Sequence, residues 1–138
     1  VKLNVLKANI AGKRIIMVDD SIVRGTTSAR IVKLLRDAGA TEVHIRVSSP
    51  PFISPCYFGT DIDSTDKLIA CRLDSCKKIA AEIGADTLGY LSVKSVHEMA
   101  QGANVKFCDG CFTGVYPVPI PTSSEKNKFE TKINSNLL

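Results

Sequence analysis

The clearest pattern in the chain is the apolar run Ile-Ile-Met-Val at residues 15–18, closed by Asp19 and Asp20. A short, β-branched, apolar stretch bounded by charge predicts a buried parallel strand. Residues 27–38 then change period. Ile31, Leu34, Leu35 and Ala38 share one helical face, and Gly39 follows as the stop. Residues 42–48 return to a strand pattern. Strand, helix and strand at this spacing predict a βαβ unit with a right-handed crossover and a parallel sheet. Ligands in such sheets sit at the carboxyl ends of the strands, where Asp19 and Asp20 fall.

Beyond residue 48 the pattern breaks. The segment SSPPFISPCYFGTDID holds three prolines and predicts a long irregular stretch, a kind of loop that is often functional. Ser64 is placed to cap a short helix through Ala70. Asp74 is placed to cap a second, with Cys76, Ile79, Ala80 and Ile83 on one face and Gly84 ending it. Residues 87–91 read as a short strand. Ser95 and Glu98 have capping-box spacing for a helix through about Ala100. KFCDGCFTGVYPVPIP reads as extended and turn-rich. From Thr122 the sequence is polar with isolated apolar residues, which predicts a disordered tail over residues 122–138. No internal repeat is visible.

Length and composition narrow the function. The 138 residues suit one domain. No apolar run approaches the roughly 20 residues of a membrane span, so no membrane partner is expected. No signal peptide opens the sequence, and its first residue is Val1 rather than Met, so a piece of a longer protein is expected. The net charge of +4 is spread out and there is no Trp, which favours a small anionic ligand over nucleic acid. Five cysteines, an odd number without a secretory signal, argue against a disulfide framework and for a cytoplasmic protein with reduced or metal-bound thiols.

The chemistry concentrates in VDDSIVRGTTS, residues 18–28. A strand-ending Asp and a helix-capping Thr would explain one residue of each kind, not the set. Adjacent carboxylates repel unless a cation or water intervenes. Gly25 opens a backbone path closed to other residues. Thr26, Thr27 and Ser28 bring hydroxyls and backbone N–H groups to a helix N-terminus, which favours a phosphate. The combination suits a phosphorylated diol: carboxylates for sugar hydroxyls and a divalent ion, donors for the phosphate.

These residues resemble the fingerprint of type I phosphoribosyltransferases, which bind 5-phosphoribosyl-1-pyrophosphate (PRPP). NVLKANIAGKRIIMVDDSIVRGTTS, PPFISPCYFGTDIDST, GADTLGYLS and CFTGVYP extend the likeness from about residue 2 to about residue 121 and point to the glutamine-dependent amidating branch. The resemblance implies an α/β fold: part of a type I phosphoribosyltransferase domain over residues 1–121, with a parallel sheet, flanking helices and an irregular Cys-bearing end. It implies that Asp19 and Asp20 contact the ribose hydroxyls and Mg²⁺, a hard cation suited to oxygen ligands. It implies that Ser21, Arg24, Gly25, Thr26, Thr27 and Ser28 surround the 5-phosphate as an anion nest, Arg24 as a phosphate fork.

One part of this branch carries a 4Fe–4S cluster. Its pattern places one Cys in the proline-rich segment and a Cys-x-x-Cys before the FTG turn, matched here by Cys56, Cys108 and Cys111. A Cys-x-x-Cys alone would also suit zinc or redox chemistry. A 4Fe–4S cluster takes four thiolates, and the family's fourth ligand lies upstream of Val1. Cys71 and Cys76 read as ordinary thiols, Cys76 on the apolar face of its helix. His44 and His97 match no catalytic motif and read as structural.

The implied parent reaction opens purine synthesis. Ammonia from glutamine attacks C1 of PRPP, giving phosphoribosylamine, pyrophosphate and glutamate. Purine nucleotides as feedback inhibitors and a homo-oligomeric parent are part of the same expectation. The glutaminase nucleophile, the pyrophosphate loop and the mobile loop over the substrate are not in this sequence, so the isolated chain is expected to be inactive. Two other classes stand beside this one: a PRPP or nucleotide sensor without catalysis, and a metal-binding structural fragment.

Overall fold

A computed structural model describes residues 5–62, 64–103 and 107–120. The tail expected to be disordered lies outside these residues. The elements run α1 (Lys7–Ile10), β1 (Arg14–Asp19), α2 (Thr26–Asp37), β2 (Glu42–Val47), a 3₁₀ turn (Thr65–Lys67), α3 (Ile69–Arg72), α4 (Cys76–Ile83), β3 (Thr87–Tyr90), α5 (Val93–Met99) and α6 (Gly110–Thr113). The strands form a parallel sheet in the order β1-β2-β3, with Asp19 opposite Val47 and Val47 opposite Tyr90. The expected βαβ unit is present, and a second crossover through α4 adds β3.

Alternation along β2 sorts the two faces of the sheet. Val43, Ile45 and Val47 are buried, and with Leu88 of β3 they meet Val32 and Leu35 of α2 and Ile79, Ala80 and Ile83 of α4. Burial of these aliphatic side chains is the main stabilising term, at about 1.5–3 kcal/mol for each large one. The other face is less covered. Ile16 and Val18 of β1 are 68% and 72% exposed, and β1 packs on the core only through the partly buried Ile15 and Met17. The apolar run at residues 15–18 therefore exceeds what the described helices cover.

The helix caps differ from the sequence reading in instructive ways. The cap of α4 is Ser75, whose hydroxyl accepts from Lys78 N at 3.3 Å; Asp74 pairs instead with Lys78 Nζ at 2.9 Å. The cap of α5 is Ser92, which accepts from Ser95 N at 3.0 Å. Ser95 thus lies inside the helix. Cys76, expected on an apolar face, is exposed at the first position of α4. The face of α2 is set by Ser28, Val32 and Leu35, with Ile31 only partly buried. The segment around Cys111, expected to be extended, contains the single turn α6.

A second, smaller core gathers Phe52, Ile62 and Leu68, with Val23, Cys56, Cys111 and Phe112 packed against it. It joins the loop after β1, the proline-rich segment and the cysteine turn.

Candidate functional site

The site begins where β1 stops. Asp19 O accepts from Ser48 N at 2.9 Å and from Ser48 Oγ at 3.2 Å, which fixes the end of β1 against the end of β2. Asp19 Oδ1 accepts from Asp20 N at 3.0 Å, and Ser21 Oγ donates to Asp20 Oδ1 at 3.2 Å. Burial pushes the Asp19 carboxyl above its ordinary range; the Asp20 amide works against this and the Asp20 charge with it. A cation beside the pair would relieve that repulsion.

The chain then turns into α2 through Ile22, which is buried in the main core, and Val23, which packs on the small one. Gly25 is the N-cap of α2, with φ +85°. A Cβ there would lie 2.5 Å from Ile69 Cδ1 and 3.3 Å from Ile83 Cγ2, so both the conformation and the space demand glycine. Among the described residues no side-chain cap hydrogen bond closes the start of α2. The first-turn N–H groups of a 12-residue helix are therefore left for a ligand or solvent, at the end that carries partial positive charge.

All the residues from Asp19 to Ser28 line one cavity of about 390 Å³, together with Asp61. The eight residues singled out in the sequence thus share a single site at the carboxyl end of the sheet. Ser28 is 3% exposed, while Thr26 and Thr27 are exposed. Asp61 was not singled out, because the segment that holds it was read for Cys56 and carries no phosphate-binding pattern of its own. Only folding brings that segment to the loop.

Cys56 and Cys111 pack against the small core. Ile53 N and Ser54 N both donate to Cys111 O, at 2.9 and 3.1 Å. The rings of Phe52 and Phe112 meet at a tilt, their centroids 4.9 Å apart, and Tyr116 donates from its hydroxyl to Pro55 O. The proline-rich segment and the cysteine turn are thus tied by backbone and ring contacts. Burial pushes the Cys111 thiol up, with Cys56 adding to it and Cys108 and Asp109 contributing less. Among the described residues, no group of three or more His, Cys, Asp or Glu is arranged to hold a single metal ion. A 4Fe–4S cluster sets each thiolate on a different iron and spreads its ligands wider than one ion would, and three thiols are a suitable donor set. Cys71 is exposed and donates to Ile53 O at 3.4 Å.

Both histidines have carboxylate partners that the sequence did not reveal. His97 Nε2 lies 2.8 Å from Asp109 Oδ2, and His44 Nε2 lies 2.8 Å from Glu42 Oε2. Neither histidine lines the cavity.

No protein-family model matches the chain. The sheet, its helices and the loop at the strand ends have the fold of a phosphoribosyltransferase-like domain, as the solved structures it resembles show. The structure of the allosteric regulatory enzyme of purine biosynthesis superposes with a TM-score of 0.81 at 44% identity, covering 94% of this chain and 28% of that one. The chain is, over most of its length, a homologue of the amidophosphoribosyltransferases. It is 51% identical over 128 residues to the amidophosphoribosyltransferase of Synechococcus elongatus and 50% identical over 124 residues to that of Bacillus subtilis. These matches cover 93% and 87% of this chain but 26% of each relative, so the chain spans about a quarter of their length. The Bacillus subtilis glutamine PRPP amidotransferase, solved with ADP and GMP, superposes with a TM-score of 0.75 at 48% identity, over 85% of this chain and 26% of that one.

Proposed function

We propose that residues 1–121 form part of the phosphoribosyltransferase domain of an amidophosphoribosyltransferase, and that the cavity holds the ribose 5-phosphate end of PRPP. The observation that carries this reading is the convergence of Asp19, Asp20, Ser21, Arg24, Gly25, Thr26, Thr27 and Ser28 on one cavity at an uncapped helix N-terminus. In this reading the first-turn amides of α2 and the hydroxyls of Thr26, Thr27 and Ser28 bind the phosphate, with Arg24 at its rim. Asp19 and Asp20 accept hydrogen bonds from the ribose hydroxyls and would hold Mg²⁺, which when bound would offset the negative charge of the substrate's phosphates. In the complete enzyme ammonia from glutamine forms the new bond to C1 as the C1–O bond breaks, and pyrophosphate leaves with that electron pair. This chain's part is to hold the sugar so that C1 is presented in a fixed orientation.

Cys56, Cys108 and Cys111 are the residues that would hold a 4Fe–4S cluster, with a fourth ligand from another part of the protein. The cluster would add a metal tie to the existing contacts between the proline-rich segment and the cysteine turn. Purine nucleotides as inhibitors are supported by the ADP and GMP bound to the Bacillus subtilis relative. A homo-oligomeric parent and a cytoplasmic location belong to the same reading, and the free cysteines suit a reducing compartment. The exposed Ile16 and Val18 favour a segment of a larger enzyme over a stand-alone sensor, because an uncovered apolar sheet face calls for a covering element.

The test is calorimetric titration of the chain with ribose 5-phosphate and with PRPP, with and without Mg²⁺. Saturable binding that strengthens with Mg²⁺ for PRPP is expected. Binding of purine nucleotides with no response to either phosphoribosyl compound would overturn the reading in favour of a sensor.

A further inference from the structure

Asp61 enters the cavity from outside the loop. It comes from the segment after Cys56, while every other lining residue lies between Asp19 and Ser28. Its position is not that of a loose loop. The next residue, Ile62, is 3% exposed and packs with Phe52 and Leu68, in the same small core that receives Val23 from the cavity wall. Ile62 N also donates to Thr60 O at 2.8 Å, closing a tight turn just before the anchor. A buried isoleucine thus pins the backbone beside Asp61 to a core that the cavity wall shares.

The chemistry of this residue is restricted. An ionised carboxylate only accepts hydrogen bonds, so its partner on a ligand must be a donor. Among the described residues Asp61 does not combine with Asp19 and Asp20 into a three-residue metal site. A third negative charge beside a phosphate pocket also weakens anion binding by simple repulsion. It is compatible with tight binding only if the ligand answers with hydroxyl donors.

We propose that Asp61 is a specificity-determining residue of the cavity. It accepts a hydrogen bond from a sugar hydroxyl and disfavours phosphates that carry no hydroxyl-bearing body. The proposal rests on the ribose-phosphate reading and adds to it a residue from a distant segment.

The two effects have opposite signs, which makes the test sharp. Asp61→Asn keeps the shape and removes the charge. By calorimetry on the full chain, its affinity for ribose 5-phosphate should fall about tenfold, the scale of a lost hydrogen bond to a charged group. Its affinity for inorganic phosphate should stay the same or rise. Asp61→Glu should recover part of the ribose 5-phosphate affinity. Thr27→Val serves as the contrast, lowering affinity for both ligands. An unchanged affinity of Asp61→Asn for ribose 5-phosphate would overturn the proposal, and so would a parallel fall for both ligands, which marks a structural role. A wild-type chain that binds neither ligand would overturn the ribose-phosphate reading itself. A wild-type chain that binds both, with no selective effect of Asp61→Asn, would remove only the role of Asp61.

Discussion

The amide of Ile69 donates to the carbonyl of Val23 at 2.8 Å, and the Ile69 side chain fills the space beside Gly25. The loop that lines the cavity is therefore seated on α3, an element more than forty residues later in the sequence. Gly25→Ala would force a left-handed residue and a Cβ against Ile69 Cδ1, for a combined loss of about 1–3 kcal/mol. Ile69→Val removes the clashing methyl and alone costs about 0.5–1.5 kcal/mol. In the Gly25→Ala background it should cost less or restore some stability. Urea melts of the four chains measure the coupling, and strict additivity would show that the contact does not limit residue 25.

Asp20→Asn in the complete enzyme should lower kcat/KM for PRPP by about 2–4 kcal/mol of transition-state stabilisation, the scale of a lost charged contact at a preorganised site. Unchanged turnover and unchanged PRPP affinity would remove the role given to Asp20. Thr27→Val should raise KM more than it lowers kcat, since the 5-phosphate is remote from C1 and its contacts position the sugar.

Asp86 supports the opposite end of the sheet. Its Oδ2 accepts from Val43 N and from Arg36 Nη2, each at 2.6 Å. The Val43 amide, with Arg36 helping, holds the Asp86 carboxyl below its usual range. A depressed carboxylate stabilises the fold above the ordinary Asp pKa, and that contribution is lost as pH falls through the folded value. Thermal melts should thus show wild type losing Tm on acidification below about pH 4, the range of an unperturbed carboxylate. Asp86→Asn should start lower at neutral pH and decline less. Parallel Tm–pH curves would show that this carboxylate contributes no pH dependence.

Cys56→Ser in the complete enzyme should lower iron content and visible absorbance. Proteolysis should then begin near residues 50–60 and 105–115, the segments joined through Cys111 O and the Phe52–Phe112 pair. The sheet around Asp19 should stay intact, because its core is separate from the one that holds Cys56. Cys71→Ser and Cys76→Ser should keep their iron, since neither thiol packs on the small core with Cys56 and Cys111. Full iron with unchanged protease resistance in Cys56→Ser would exclude that residue as a ligand.

The βαβ unit and the loop between Asp19 and Ser28 were legible in the sequence because they are local. A strand, a turn and a helix start, consecutive along the chain, bring their side chains to one end of the sheet. Hydrophobic period and the Asp-Asp, Gly and Thr-Thr-Ser pattern suffice for that, and Ile69 then seats the loop. Tertiary structure decided what depends on distant segments. It brought Asp61 into the cavity, because burial of Ile62 against Phe52 and Leu68 fixes a loop with no period of its own. It set Gly25 against Ile69, gave His97 its carboxylate at Asp109, and left Ile16 and Val18 exposed on an uncovered face. The caps moved to Ser75 and Ser92 because several hydroxyl and acidic residues sit at each helix start and only backbone geometry selects among them. Propensity gives which residue types suit a position along the chain, while pairing across the fold depends on which surfaces the core can bury together.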